Sequence, residues 1–195
     1  PIICWERGSV MPLTRVLPAK GFFTMPDQQP QIVFAHDDFE CETLEDELRV
    51  DERCRTLLQQ FYSHLQLTGL TPEKASELAY GADYYVRDYL IDFLQQNLAR
   101  PQAGLVKRFA ATWYITRTLE PDTIVLDRYL DAIDAFYRFL RDRHLISAEE
   151  LQLIEAELAL REYYHGRIRQ FLALKGDGYD AWERECPLQE GKGTV

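Results

Sequence analysis

Glycine is scarce in this chain, at 10 of 195 residues, and aromatics reach 12%. Together these exclude a collagen-like repeat and a disordered, low-complexity polypeptide. Long apolar runs are missing too. The opening PIICWERGSVMPLTRVL has three apolar residues before charge intervenes, too few for the apolar core of a secretory signal and far short of a membrane span. No export signal and no membrane partner are therefore expected, and the expected location is cytoplasmic. The four cysteines, Cys4, Cys41, Cys54 and Cys186, stand 37, 13 and 132 positions apart. None of these gaps is a chelating step, which argues against a zinc knuckle or a CxxC redox pair. A chain that is 46% apolar has enough core to dispense with disulfide staples, so reduced thiols are expected. Neither GxGxxG, a phosphate loop, GxSxG nor HExxH occurs, and no cofactor is expected. Positive charge is also in deficit: 22 Lys and Arg against 32 Asp and Glu leave a net charge of −10. Such a molecule repels nucleic acid and anionic membrane unless a local patch reverses the field.

What is present is helical periodicity. Residues 1–42 hold Pro1, Pro12, Pro18, Pro26 and Pro30 and a single strand-like stretch, QIVFA from Gln31 to Ala35. Proline at that density removes backbone donors and fixes φ, so this segment is expected to be an extended arm. From Thr43 the pattern predicts a body of five helices over 43–175, followed by a polar, acidic tail, 176–195, with Trp182 as its one buried candidate. The first helix spans Leu44 to Leu67, with Thr43 as N-cap and Gly69 beyond the last turn. Thr71 and Pro72 open the second, which is expected to reach about Asn97 with Leu78, Ala82, Tyr85, Tyr89 and Phe93 on one side. Gly81 inside it costs about 1 kcal/mol against alanine and marks either a close helix approach or a tolerated weak point. The third runs from about Leu105 to Arg117 and the fourth from about Thr123 to His144. Ser147-Ala-Glu-Glu150 forms a capping box that starts the fifth. That helix is expected to run unbroken to about Ala173, with a seam of Leu151, Ile154, Leu158, Arg161, His165, Ile168 and Leu172. The short loops between helices make an all-α, five-helix orthogonal or antiparallel bundle the expected architecture.

Charge is unevenly placed. Residues 1–42, 43–100 and 176–195 are each net acidic, whereas 101–175 carries eleven cations and eleven anions. Lys107, Arg108, Arg138, Arg141, Arg143, Arg167 and Arg169 are the candidate contacts for a nucleic acid or another partner. Against a phosphate-binding face, Arg138 has Asp134 and Asp142 four residues to either side, and Arg161 has Glu157 at the same step. Glu162 and His165 share a helix face at the spacing of carboxylate-bridged metal bundles, but no second Glu-x-x-His accompanies them, so His165 reads as a hydrogen-bonded seam residue and no metal is expected. His36-Asp37-Asp38 with Glu40 and Cys41 lacks the spacing of a calcium loop. No nucleophile stands beside an identifiable base. Tyr80, Tyr84, Tyr85 and Tyr89 on the second helix read as core or rim residues, because Asp83, Arg87 and Asp88 beside them are net acidic and do not favour base stacking.

Two phrases carry a resemblance: LLQQFYSHLQLTGLTPEKA, where a helix ends in Gly before Thr-Pro, and YLDAIDAFYRFLRDRHLIS, where an aromatic helix ends in a basic turn. The stretch 55–158 resembles the N-terminal, SAM-like core-binding domain of tyrosine recombinases of the phage-integrase type. The resemblance implies a helical domain that clamps duplex DNA, with cleavage left to a separate C-terminal domain that bears an HxxR box and a nucleophilic tyrosine. Here His144 is followed by Leu-Ile-Ser and His165 by Gly-Arg-Ile, and cleavage is not implied. The acidic balance of 43–100 departs from a DNA clamp as well. The expectation is a non-enzymatic helical module that binds a protein or itself, with a DNA-binding accessory domain as the alternative.

Overall fold

A computed structural model describes residues 32–188, apart from 42. The expected arm falls almost wholly outside the described residues, as does the end of the acidic tail. Among the described residues every regular element is helical. Residues 32–35, the end of the strand-like QIVFA, form no strand; a 3₁₀ turn, His36–Phe39, follows. Phe34 and Phe39 are buried with their rings 5.6 Å apart, and Arg49 donates to the carbonyls of Asp38 and Glu40.

Seven helices follow. Helix α1, Leu44–Leu67, starts where Thr43 Oγ1 accepts the Asp46 N–H at 3.2 Å and the Asp46 carboxylate accepts the Thr43 N–H at 3.0 Å. It ends as its sequence requires, with Gly69 at φ +94° and the Leu70 N–H reaching back to Leu65. Helix α2 is α-helical over Pro72–Asp83 and continues without a break as a π-helix, Tyr84–Phe93. It stops short of the expected Asn97 because Gln95 turns left-handed at φ +52° and the Gln96 N–H closes on Leu90 at 2.8 Å. Helix α3 is built of Leu105–Arg108, a π-segment Phe109–Trp113 and Tyr114–Arg117. Helix α4, Thr123–Asp142, is capped by Asp122, whose carboxylate accepts the N–H groups of Ile124 and Val125. His144 at φ +59° ends it, with the Leu145 N–H on Leu140.

The unbroken fifth helix expected to Ala173 is instead two, α5, Ala148–Leu158, and α6, Arg161–Leu172. No glycine or proline marks the break. Its cause is tertiary: the Glu157 carbonyl accepts the Tyr164 hydroxyl at 2.7 Å, while the Glu157 carboxylate leaves for the start of α3. The seam is corrected with it, since Leu151, Ile154, Leu158 and Ile168 are buried but Leu172 is exposed. The expected tail also begins as structure. Helix α7, Tyr179–Arg184, buries Trp182, and Cys186 beyond it is buried too. Among the described residues the bundle therefore has seven helices in place of five.

Helix α4 is central. Phe136 and Phe139 meet Phe61 of α1, each at 5.4 Å between ring centres. On its other side Ala132 meets Gly81 of α2 so closely that a Cβ on Gly81 would stand 2.6 Å from that of Ala132. Of the two readings of Gly81, the structure has the close approach. Burial of the large apolar side chains around α4 supplies the driving force against chain entropy.

Candidate functional site

Most of the seven candidate cations are engaged by other groups of the fold. Arg138 is held by Asp134 at 3.0 Å and by Glu155 of α5 at 2.6 Å. The Asp134 pairing was legible from the spacing; the second acid is Glu155 where Asp142 was expected. Asp142 pairs with Arg141 at 2.9 Å instead. Arg143 lies over the Phe139 ring at 4.9 Å and donates to Gln60 at 3.3 Å. Lys107 sits over the Tyr163 ring at 5.4 Å. Arg108 is half-buried, its Nε without a hydrogen-bond partner among the described residues, and close enough to Tyr89 to offset part of the upward shift that burial imposes on that phenol. Arg169 is exposed on α6 and makes no ion pair among the described residues.

Arg167 is a correction to the proposed contact set: it is only 1% exposed. Its guanidinium donates to the carbonyl of Ala111 in α3 at 3.2 Å, to that of Trp182 at 2.7 Å and to the Glu185 carboxylate at 2.5 Å. It also stacks on the Trp182 ring at 3.9 Å, and the Trp182 indole donates back to the Arg167 carbonyl at 3.2 Å. A buried cation tolerates removal from water only when hydrogen bonded and paired; Nε and Nη1 are so engaged, whereas Nη2 has no hydrogen-bond partner among the described residues. The residue fastens α7 to the bundle and presents nothing to a ligand.

The α3 N-terminus is likewise occupied. Gly104 at φ +90° lets the chain turn into the helix, and the Glu157 carboxylate accepts the N–H groups of Gly104 and of Lys107, the latter at 2.9 Å. A carboxylate at the positive end of the helix dipole satisfies two orphan donors, so this end is filled by the protein's own side chain.

His165 is a half-buried seam residue, as its position predicted, with its Nε2 3.0 Å from the Asp127 carboxylate. Arg161 joins the same acid at 3.3 Å and Asp131 at 2.6 Å, a pairing across helices in place of the expected one with Glu157. Glu162 points elsewhere on the exposed side of α6. Near the start, Asp38 accepts the Ala35 N–H at 2.8 Å, and Asp37 and Glu40 hold Arg100 at 2.9 and 2.6 Å. No group of His, Cys, Asp and Glu suited to a metal ion occurs among the described residues. Nor is any described helix long and apolar enough to cross a membrane. Cys41, Cys54 and Cys186 are free thiols, and burial pushes that of Cys54 up to about 12.

The tyrosines of α2 divide between core and rim. Tyr85 and Tyr89 are fully buried against Phe109 of α3, at 5.1 and 5.3 Å. Tyr84 is half-buried, stacked on Tyr129 of α4 at 4.9 Å and tilted against Trp113 at 5.3 Å. Partial burial first, then the charge of Asp88, pushes the Tyr84 phenol up to about 12. Tyr80, one turn earlier, is 61% exposed. The π-helical geometry of Tyr84–Phe93 places these rings over the second π-segment, Phe109–Trp113, and π-turns concentrate at functional sites. The core-or-rim reading of these tyrosines does not say which of them share a face. The signal was the step of three or four residues linking Glu73, Glu77, Tyr80, Tyr84, Asp88 and Asp92.

Comparison of the chain with family models, with curated proteins and with solved structures finds no match in any of the three.

Proposed function

We propose that the protein is a non-enzymatic helical interaction module, acting in the cytoplasm, that binds a protein partner through the solvent side of α2. The observation that carries this reading is Tyr80, a large aromatic 61% exposed one turn before Tyr84, whose ring stacks on Tyr129. Exposed tyrosine on a rigid helix supplies contact area at little cost in side-chain entropy, and such residues anchor protein interfaces. The pairing of Arg138 and Arg141 with carboxylates of their own fold favours a protein over duplex DNA, since a cation already neutralised releases few counterions on meeting a phosphate. The likeness of 55–158 to recombinase core-binding domains enters this reading as a shared order of helices, with the DNA clamp replaced by a protein-binding face. The DNA-binding alternative draws on Arg169, exposed without an ion pair among the described residues, and on Lys107 beside Tyr163.

Photo-crosslinking separates the two. Replacement of Tyr80 by a benzophenone amino acid, followed by irradiation in cells that make the protein, is expected to yield adducts with discrete proteins. Nucleic-acid adducts from the same probe at position 169, with none to protein from position 80, would overturn the proposal.

A further inference from the structure

Where α2 lies along α4, the surface holds apolar side chains that the core does not use. Leu119, in the turn between α3 and α4, is 99% exposed, Ile124 in the first turn of α4 is 64% exposed, and Val125 beside it is exposed as well. These residues continue the tyrosine surface of α2. Val125 stands one turn before Tyr129, whose ring stacks on Tyr84. Burial first, and then the neighbouring Tyr80 and Tyr84, push the Tyr129 phenol up, so Tyr80 belongs to the same group. Thr118 acts on the Tyr84 phenol, offsetting part of the rise that burial and Asp88 impose, which sets the Leu119 turn beside that ring. Apolar side chains exposed singly need no explanation, but a set gathered around half-buried aromatic rings marks a contact surface. The fully exposed Leu119 contributes nothing to its own fold.

The charges around this surface select what covers it. Asp88 one turn beyond Tyr84, Glu120 beside Leu119 and Glu73 two turns before Tyr80 are exposed and make no ion pair among the described residues. The nearby cations are committed. Lys74 and Arg128 hold Glu77 at 3.1 and 3.6 Å, and Arg117 lies over the Phe93 ring at 5.5 Å. An apolar centre is thus left with an acidic rim. A second copy of the chain would bring the same carboxylates to a two-fold contact, where like charges meet. An anionic bilayer is repelled for the same reason. A segment with cations on either side of its apolar residues complements both parts of the surface.

We propose that this surface docks a segment of a partner protein in which apolar side chains are flanked by lysine or arginine, the apolar ones meeting Leu119, Val125 and the Tyr80 ring and the cations meeting Asp88 and Glu120. The inference rests on the interaction-module reading and names its partner's chemistry. Leu119 and Tyr80 supply most of the affinity, because they pass from water into the contact, while the rim carboxylates set the sign of the partner's charge. The net charge of −10 steers such a segment toward the protein from a distance.

The test uses the full chain and two labelled amphipathic peptides with leucine at helical spacing, one with lysine and one with glutamate at every other position, and reads binding by fluorescence anisotropy. The lysine peptide is expected to bind and the glutamate peptide not. Leu119→Ser, and separately Tyr80→Ser, should weaken binding about tenfold or more. Asp88→Asn with Glu120→Gln should weaken it severalfold and flatten its salt dependence. Leu172→Ser, at an exposed leucine on α6, should leave it unchanged, and thermal melts confirm that each variant is folded. Equal affinity for the two peptides, or equal weakening by Leu172→Ser, overturns the proposal, as does the absence of binding. Sedimentation showing a dimer that Leu119→Ser dissociates also overturns it, in favour of a second copy as the occupant. Protein adducts from position 80 without peptide binding would leave the interaction reading standing with a partner of other chemistry, whereas the absence of both would remove both.

Discussion

Gly81 of α2 and Ala132 of α4 meet where a single methyl group on the glycine would stand 2.6 Å from the alanine Cβ. Gly81→Ala should therefore destabilise the protein by about 1–3 kcal/mol through overpacking, although alanine is the better helix former by about 1 kcal/mol. Ala132→Gly in the same chain should recover much of that loss. Chemical denaturation of the two single variants and the double variant closes the cycle. A stabilising Gly81→Ala would mean that the helices can part at no cost.

Arg167 and Glu185 give a second prediction. Arg167→Met keeps the apolar stem but strands the carbonyls of Ala111 and Trp182, and it should cost about 3 kcal/mol or more. Helix α7 should loosen with it, visible as a red shift of Trp182 emission. Glu185→Gln, at a side chain 56% exposed, should cost only about 1 kcal/mol. Similar losses for the two would mean that the buried guanidinium has no special role in fastening α7.

These contacts show where sequence reasoning succeeds and where it stops. Helix starts were legible because their chemistry is local: Thr43 with Asp46, Thr71 with Pro72 and Ser147 with Glu150 lie within one turn. Gly81 was legible only in part, because an interior glycine fits a close approach and a tolerated weak point equally well, and only the position of Ala132 decides between them. The break after Leu158 was not, since it depends on Glu157 reaching Gly104 and Lys107 some fifty positions away. Arginine usually lies at the surface, and the groups that bury Arg167 sit in α3 and in a stretch that reads as polar tail. The π-segments were hidden because the apolar residues from Tyr85 to Leu94 fit an α-helical stripe equally well. Tyr80 and Tyr84 read as core or rim residues, and the four-residue step that aligns them with Asp88 and Asp92 is present in the sequence but is shared by any solvated helix face.

The raised carboxyls of Asp88 and Asp92 make a prediction about pH. Their folded-state values lie above the ordinary 3.8, so the fold disfavours their ionised forms. Their contribution to stability is greatest below the unfolded value and is lost as pH rises through the folded one. Asp88→Asn with Asp92→Asn should raise the melting temperature at neutral pH, with the gain shrinking toward zero below about pH 4. A gain that persists in acid would trace to something other than charge.

Thiol reactivity provides a further check. In a Cys4→Ser background, half-buried Cys41 should react with a thiol reagent in the native state. Cys54, fully buried with its thiol pushed up to about 12, should react only as fast as the protein opens, and buried Cys186 only as α7 lifts. Rapid native-state modification of Cys54 would contradict the packing of α1 on α2.

Binding to duplex DNA separates the protein-binding reading from the DNA-binding one. Titration of a labelled duplex at two salt concentrations is compared for the wild-type protein and for a variant carrying Arg138→Ser, Arg141→Ser and Arg143→Ser. Because Arg138 and Arg141 are paired with carboxylates and Arg143 lies against Phe139, the account predicts a Kd of about 10⁻⁵ M or weaker at physiological salt, a shallow salt dependence and little difference between the two proteins. Sub-micromolar binding that tightens steeply as salt falls and is abolished by the triple variant would contradict it.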